Sequence, residues 1–271
     1  MIAKRWRSTF KSSRFLTGSA IAHGVGAITL LSSPQSGAIV LSGLAINHLA
    51  IASAGLLPRC RLLGPNMTKL PSAFTGTDLM ALTFDDGPDP VLTPQVLDLL
   101  DQTNQKATFF CIGSRVDRFP DLAAEIRRRG HGLENHSYSH PSSFALRGPS
   151  AMLEQVALAQ DSIERVTGHR PTLFRAPAGI RNIWLNCVLA EMKLSLVSWT
   201  RRGFDAVTRD SERVSARLIR KGLRNREIIL LHDTVPLVLD VLPRLLENMD
   251  KRKLRSVALH RAFTSTNVRL V

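Results

Sequence analysis

The stretch Leu79-Met80-Ala81-Leu82-Thr83-Phe84-Asp85-Asp86-Gly87-Pro88 decides how the rest of the chain reads. A short apolar, β-forming run ends abruptly in Asp-Asp-Gly-Pro, which is turn chemistry. Thr93 and Pro94 then offer an N-cap and a first helical residue. The same succession of apolar run, polar turn and helical segment recurs downstream. Candidate strands are 79–84, 107–112, 132–135, 172–175, 195–199, 228–232 and 255–259. One helix is expected over 151–166, stopped at Gly168, and another over 210–221, capped by Asp210. Strand–helix alternation predicts an α/β protein with a mostly parallel sheet and helices outside it. Seven strands suit a barrel or an open sheet, and in either the site lies at the strands' C-terminal ends.

Upstream the composition changes. The chain has 271 residues and a formal net charge of +14, unevenly spread. No acidic residue precedes Asp78, while Lys4, Arg5, Arg7, Lys11, Arg14, Arg59, Arg61 and Lys69 all do. The 44 residues between Arg14 and Arg59 carry no charge. As one helix they would run about 66 Å, roughly twice the ~30 Å hydrocarbon core of a bilayer. Two spans, 15–32 and 37–57, broken at Ser33-Pro34, fit better and predict a membrane hairpin. Residues 1–75 then form the basic N-terminus, hairpin and linker, and 76–271 the catalytic domain. Basic residues flank both outer ends, so the positive-inside tendency predicts a multi-pass protein of a bacterial-type inner (cell) membrane with a cytoplasmic catalytic domain. A single signal anchor, placing the domain outside, is the competing topology. His23 and His48 are expected to be neutral and hydrogen-bonded within the hairpin. The charge follows membrane topology, and no basic stripe with interleaved aromatics points to nucleic acid. Cys60, Cys111 and Cys187 are sparse and lack a CxxC, which argues against a disulfide framework or a Cys-based zinc site.

Polar residues of catalytic type stand at successive strand ends. Asp85 and Asp86 repel each other, and a metal resolves this if one Asp ligates it and the other serves as base. His136 and His140, in His136-Ser137-Tyr138-Ser139-His140, are read as sharing one face of a helical turn. With Asp86 they offer three N/O ligands and leave a fourth position open, as a catalytic zinc-like ion requires. Arg175 can keep a carboxylate base ionised and oriented. Asp205 follows the fifth candidate strand, and His232 ends the sixth as a candidate general acid. Each residue also fits a plainer role: a turn, a satisfied core histidine, a surface arginine. It is their recurrence at strand ends that argues for a site.

The segments TFDDGP, HSYSH, FRAPAG and LLHD resemble, in order and spacing, the motifs of the polysaccharide deacetylase family. This is the NodB-homology, carbohydrate esterase type 4 group. The resemblance covers about 76–259. It implies a distorted (β/α) barrel, a divalent metal such as zinc, and hydrolysis of an N-acyl group, as acetyl, from an amino-sugar glycan. It further implies that Asp85 is the base, that Asp86, His136 and His140 hold the metal, and that Arg175 positions Asp85. His232 would be the acid, oriented by Asp205, and the backbone N–H of Ala178 would help hold the oxyanion. Relatives often carry groove aromatics where Ala178 and Ala206 stand here. Arg201 and Arg202 are expected at the rim of the catalytic face as a phosphate-binding pair, pointing to a small lipid-linked amino sugar. The alternative expectations are a deformylase of a lipid-linked amino sugar and an inactive carbohydrate-binding membrane protein.

Overall fold

The computed structural model describes residues 13–264. The basic residues Lys4, Arg5, Arg7 and Lys11 lie outside the described residues. The elements begin with α1 (Arg14–Ser32) and α2 (Gly37–Leu56). There follow β1 (Leu79–Asp85), α3 (Leu92–Gln102), β2 (Ala107–Cys111), α4 (Gly113–Arg118), α5 (Pro120–Arg128), β3 (Gly132–Asn135), α6 (Pro149–Thr167) and β4 (Leu173–Phe174). The chain continues through α7 (Leu185–Glu191), β5 (Ser195–Leu196), β6 (Arg201–Arg202), α8 (Ser211–Ile219), β7 (Ile228–His232), α9 (Val238–Lys251), β8 (Arg255–Ser256) and α10 (Leu259–Thr264).

The strands run in the order β5-β4-β3-β2-β1-β7-β6, all parallel, with β8 pairing the lower end of β1. The two ends of this order, β5 and β6, are joined by residues 197–200 alone. A link that short spans at most about 18 Å, so the sheet has to curl until its edges face each other. The seam is filled by an upstream segment: Met67 N–H donates to the Leu196 carbonyl at 2.9 Å, and Ser198 N–H donates to the Met67 carbonyl at 2.7 Å. The result is a curled half-barrel with helices outside, as the strand–helix alternation predicted.

The pleat sorts the β1 side chains. Met80, Leu82 and Phe84 face outward into the layer shared with Phe109, Leu133, Ile229 and Leu231 and the surrounding helices. Ala81 faces inward with Phe110, Leu173, Leu230 and Trp199. Asp85 shares that inward parity, so the last inward position of the strand opens on the mouth.

Several local expectations change. The single run 195–199 shortens to β5, which pairs β4, and a separate strand β6 follows it on the other side of the seam against β7. The run 255–259 shortens to β8, and Leu259 begins a helix. Thr93 does not cap α3. The Asp89 carboxylate accepts from Val91 and Leu92 N–H, both at 2.9 Å, and the Thr93 hydroxyl donates to Asp233 Oδ2 at 2.5 Å. Asp210 does cap α8, accepting from Arg213 N–H at 2.9 Å. Gly168 ends α6 in the left-handed region at φ 65°.

Helices α1 and α2 are long and apolar enough to cross a membrane. Their apolar side chains are largely uncovered: Ile21, Ile28, Leu31, Ile39, Leu41, Ile46 and Leu49 are all exposed. Between them runs a polar seam. Asn47 donates to Ser19 Oγ at 2.8 Å, and the His23 and His48 rings meet edge-to-face at 5.0 Å. Each imidazole also engages a carbonyl one turn back, Ser19 or Leu44.

Candidate active site

The mouth is built where β1, β3, β4, β6 and β7 end. Asp85 is the last residue of β1 and pairs in register with His232 on β7. Arg175 follows β4 and is 0% exposed. Its Nη1 donates to Asp85 Oδ1 at 2.7 Å and to Thr83 Oγ1 at 2.8 Å, Nη2 to the Ser198 carbonyl at 3.1 Å, and Nε to the Val197 carbonyl at 3.3 Å. The guanidinium also lies 4.1 Å from the Phe110 ring centroid. A buried charge held by that many acceptors is fixed in position, and it fixes Asp85 with it.

Asp86 Oδ1 lies 3.4 Å from His136 Nε2 and 3.4 Å from His140 Nε2. Asp86 Oδ1 is also buried with no hydrogen-bond partner. Two atoms each about 2.1 Å from a tetrahedral ion stand about 3.4 Å apart, so an orphaned acceptor facing two imidazole nitrogens at this spacing fits one divalent cation. His136 Nδ1 donates to the Arg175 carbonyl at 2.9 Å, which leaves Nε2 as the lone-pair nitrogen. Burial opposes ionisation of Asp86, yet the neighbouring His136, His140 and His232 hold it well below the usual carboxylate range.

The two histidines do not share a helical turn. Residues 136–141 form an irregular loop, with Ser137 at φ 65° and His140 at φ 46°. Asp86 (φ 75°) and Ala178 (φ 55°) also occupy the left-handed region, which is costly for residues with a Cβ and clusters at functional sites. The loop is held by residues that sequence reasoning missed. Asn135 Oδ1 accepts from Ser137 N–H at 2.9 Å, its Nδ2 reaches Gln160, and Gln155 accepts from Ser139 N–H at 3.0 Å. These polar residues are buried between β3 and α6, and a polar residue at a core position was the signal available.

On β7, His232 N–H donates to Asp205 Oδ2 at 2.7 Å and Nδ1 contacts Oδ1 at 3.0 Å. Burial disfavours the imidazolium, but the Asp205 hydrogen bond and the charges of Asp205, Asp85 and Asp86 raise its pKa to about 8. Asp205 therefore lies beyond β6, one strand later than expected. Asp233 was also missed. It is fully buried beneath the Asp85-Asp86-Gly87 turn, and burial pushes its pKa up to about 7 against the Thr93 hydrogen bond. A Cβ on Gly87 would lie 2.3 Å from Asp233 Oδ2, so residue 87 has no room for a side chain.

Arg201 corrects the expectation of a phosphate-binding pair. Neighbouring residues of a strand point to opposite faces. Arg201 turns outward, bonding Glu227 at 2.9 Å and the Leu218 and Gly222 carbonyls at 2.7 and 2.6 Å. Arg202 turns the other way and lies over Trp199 and Phe204. Ala178 and Ala206 are both exposed at the mouth.

The root of the hairpin packs on this face. Arg181 N–H donates to the Gly55 carbonyl at 3.1 Å, and its guanidinium donates to the Cys60 carbonyl. Ser198 Oγ donates to the Pro58 carbonyl at 2.6 Å and Arg59 to the Thr200 carbonyl at 2.9 Å. Leu16, Ala54 and Leu63 form a small buried cluster with Ile183.

A half-barrel with an Asp-His-His cluster, an arginine-held carboxylate and a carboxylate-held histidine is the apparatus of a hydrolase. The family model described as polysaccharide deacetylase matches residues 74–197. A peptidoglycan-N-acetylglucosamine deacetylase of Bacillus cereus is 35% identical over 62% of this chain and 81% of its own length. The peptidoglycan-N-acetylmuramic acid deacetylase PdaC of Bacillus subtilis is 38% identical over 57% of this chain, which spans about a third (32%) of that relative. A PdaC structure superposes with a TM-score of 0.63 at 31% identity, covering 69% of this chain and 90% of that one. A chitooligosaccharide deacetylase of Bradyrhizobium is 35% identical over 60% of this chain and 74% of its own. The chain belongs to the polysaccharide deacetylase family, hydrolases of carbon–nitrogen bonds other than peptide bonds.

Proposed function

We propose that the protein is a metal-dependent N-deacetylase of an amino sugar, held at a membrane by residues 1–75 and acting through residues 76–271. The observation that carries this reading is the Asp86–His136–His140 cluster, with its orphaned carboxylate oxygen, beside Asp85 on one side of the mouth and His232 on the next strand. The relatives named above are deacetylases of N-acetylglucosamine or N-acetylmuramic acid in peptidoglycan and of chitooligosaccharides.

Asp86, His136 and His140 would hold the cation, a zinc-like ion by its N/O donors. When bound, it supplies Lewis-acid polarisation of the acyl carbonyl and acidifies water. Asp85, aimed by Arg175, takes the proton of the attacking water. The Ala178 N–H donates to the developing oxyanion. His232, kept protonated and oriented by Asp205, gives its proton to the departing amine, without which nitrogen leaves poorly. The products are a carboxylic acid and a free amino sugar.

The substrate is a lipid-linked amino sugar, and the hairpin root seated on the mouth supports this finer reading. A site fastened beside two apolar helices works where lipid-borne sugars are concentrated. The test is mass spectrometry of membrane glycans and lipid-linked sugars, with and without the protein. Loss of one acetyl mass from a lipid-linked amino sugar is expected. Unchanged masses in every fraction, with metal-loaded protein present, would overturn the reading.

A further inference from the structure

Beyond β6 the loop 203–210 and the first turns of α8 form an open cavity of about 480 Å³ lined by Phe204, Val207, Thr208, Arg209, Arg213 and Arg217. The three arginines are spaced four residues apart. Arg213 and Arg217 are therefore neighbours on one face of α8, and like charges so placed destabilise a helix. Among the described residues no carboxylate lines the cavity. Asp210 faces the helix end, where it caps Arg213 N–H, and Glu212 pairs at 3.8 Å with Arg244. The repulsion among the arginines is thus left standing in the folded chain.

A fourth cation, Arg202, stands outside the cavity lining but shares the Phe204 ring with Arg217. Phe204 is 44% exposed, with the Arg202 guanidinium 4.8 Å and the Arg217 guanidinium 5.3 Å from its ring centroid. Arg202 Nε is buried with no hydrogen-bond partner. Phe204 itself sits at φ 64°, a costly conformation for an aromatic residue that needs a compensating reason. The next residue, about 3.8 Å away along the chain, is Asp205, which holds His232. The loop that lines the cavity is therefore continuous with the residue that holds His232.

Convergent guanidiniums with unused donors, around an aromatic floor and without a carboxylate, match a phosphate ester better than a neutral sugar. We propose that this cavity is a phosphoryl-binding subsite, which holds the phosphate of an amino-sugar phosphate while its amide lies at the Asp86 cluster. The proposal rests on reading that cluster as an amide-hydrolysing site. Arg213 and Arg217 grip the phosphate, Arg209 closes the row, and Arg202 adds positive charge across the Phe204 ring.

The experiment measures binding on the full chain in detergent micelles stripped of metal, so that its readout is independent of turnover. The probe is N-acetylglucosamine 1-phosphate, followed by titration calorimetry. The double variant Arg213→Gln with Arg217→Gln should bind it at least about tenfold more weakly, and wild-type affinity should fall as salt rises. Arg217→Lys should lose part of the affinity, because it keeps the charge but not the fork. Arg220→Gln, at the C-cap of the same helix and outside the cavity, should bind as wild type. With metal restored, the preference for the phosphorylated over a neutral N-acetyl sugar should fall about tenfold in the double variant. Unchanged affinity in a double variant that melts like wild type would overturn the proposal. So would arginine-dependent binding to anionic vesicles with none to the sugar phosphate, which would assign the row to lipid headgroups. Arginine-dependent phosphate binding in a protein that deacetylates nothing would leave the subsite standing and remove the hydrolase reading instead.

Discussion

Replacing Asp205 by Asn separates the charge that governs His232 from the shape that holds it. His232 is 7% exposed, and its pKa is raised from 6.5 to about 8, burial working against the Asp205 hydrogen bond and the charges of Asp205, Asp85 and Asp86. The asparagine keeps the size and one acceptor but drops the nearest charge, so burial dominates and the pKa falls. A pKa raised on folding means that the folded state holds the proton more tightly. The stabilisation is fully present below pH 6.5 and is lost as pH rises through about 8. A gap of about 1.5 units is worth about 2 kcal/mol, or roughly 4–8 °C in Tm for a chain of this size. Thermal melts of metal-free protein at about pH 6 and pH 9 should show that loss in the wild type and a flatter dependence in Asp205→Asn. The alkaline limb of kcat/KM should move to lower pH by about one unit or more relative to the wild type, with kcat reduced roughly 10²–10⁴-fold at pH 8. A cation at Asp86 repels the imidazolium, so the metal-loaded limb lies below the metal-free pKa in both proteins. An alkaline limb that stays put in Asp205→Asn, with full activity, would refute His232 as the acid.

Asp86→Asn should weaken metal binding measured by calorimetry, whereas Asp85→Asn should keep metal and lose turnover; equal metal loss in both would contradict the division of roles. Arg175→Met strands the Asp85 carboxylate in the core, so it should cost about 3–5 kcal/mol and lower Tm by roughly 6–20 °C; a fall of under about 2 °C would mean that the pair is not the anchor described. A reporter fused after Val271 should behave as cytoplasmic if the charges flanking the hairpin set its orientation, and protease access from the periplasmic side of intact spheroplasts would reverse that topology.

The strand–helix alternation and the positions of Asp85, Arg175 and His232 were legible because each motif ends an apolar run, and a parallel half-barrel collects strand ends on one face. What was illegible depends on pairing across the sheet. The two-residue β6 exists because β7 accepts it, and nothing local marks it. Arg201 and Arg202 looked like a pair until the pleat sent one outward to Glu227. Thr93 was read as a helix cap because its sequence neighbours fit that role, while its real partner, Asp233, is 140 residues away. The polar scaffold of the HSYSH loop escaped notice because Asn135 and Gln160 meet only when α6 packs on β3.

The hairpin root gives the proposed anchor a second meaning. A pure tether would reach the barrel through a slack linker and leave the mouth free to face any direction. Here the chain leaving α2 is bonded at once to the loops that follow β4 and β5: Gly55 to Arg181, Pro58 to Ser198, Arg59 to Thr200. Those loops carry Ala178, and their Val197 and Ser198 carbonyls hold the Arg175 guanidinium that aims Asp85. The position of Asp85 is thus mechanically continuous with the apolar helices. A Cβ at Gly179 would lie 2.4 Å from Trp199 and 2.9 Å from Pro58, so the hairpin exit and the loop beside Ala178 are packed to contact. On the reading proposed here, a glycan strand approaching the mouth would meet the helices along one side of its path. A sugar carried on a lipid would arrive from that same side with its phosphate leading, toward the arginines beyond β6. Cutting the chain after Pro58 would then remove more than membrane residence: it would loosen the loop that carries Ala178 and lower kcat on a soluble sugar phosphate that needs no membrane. A truncated protein that folds and keeps full kcat on that soluble substrate would show that the hairpin is a tether and nothing more.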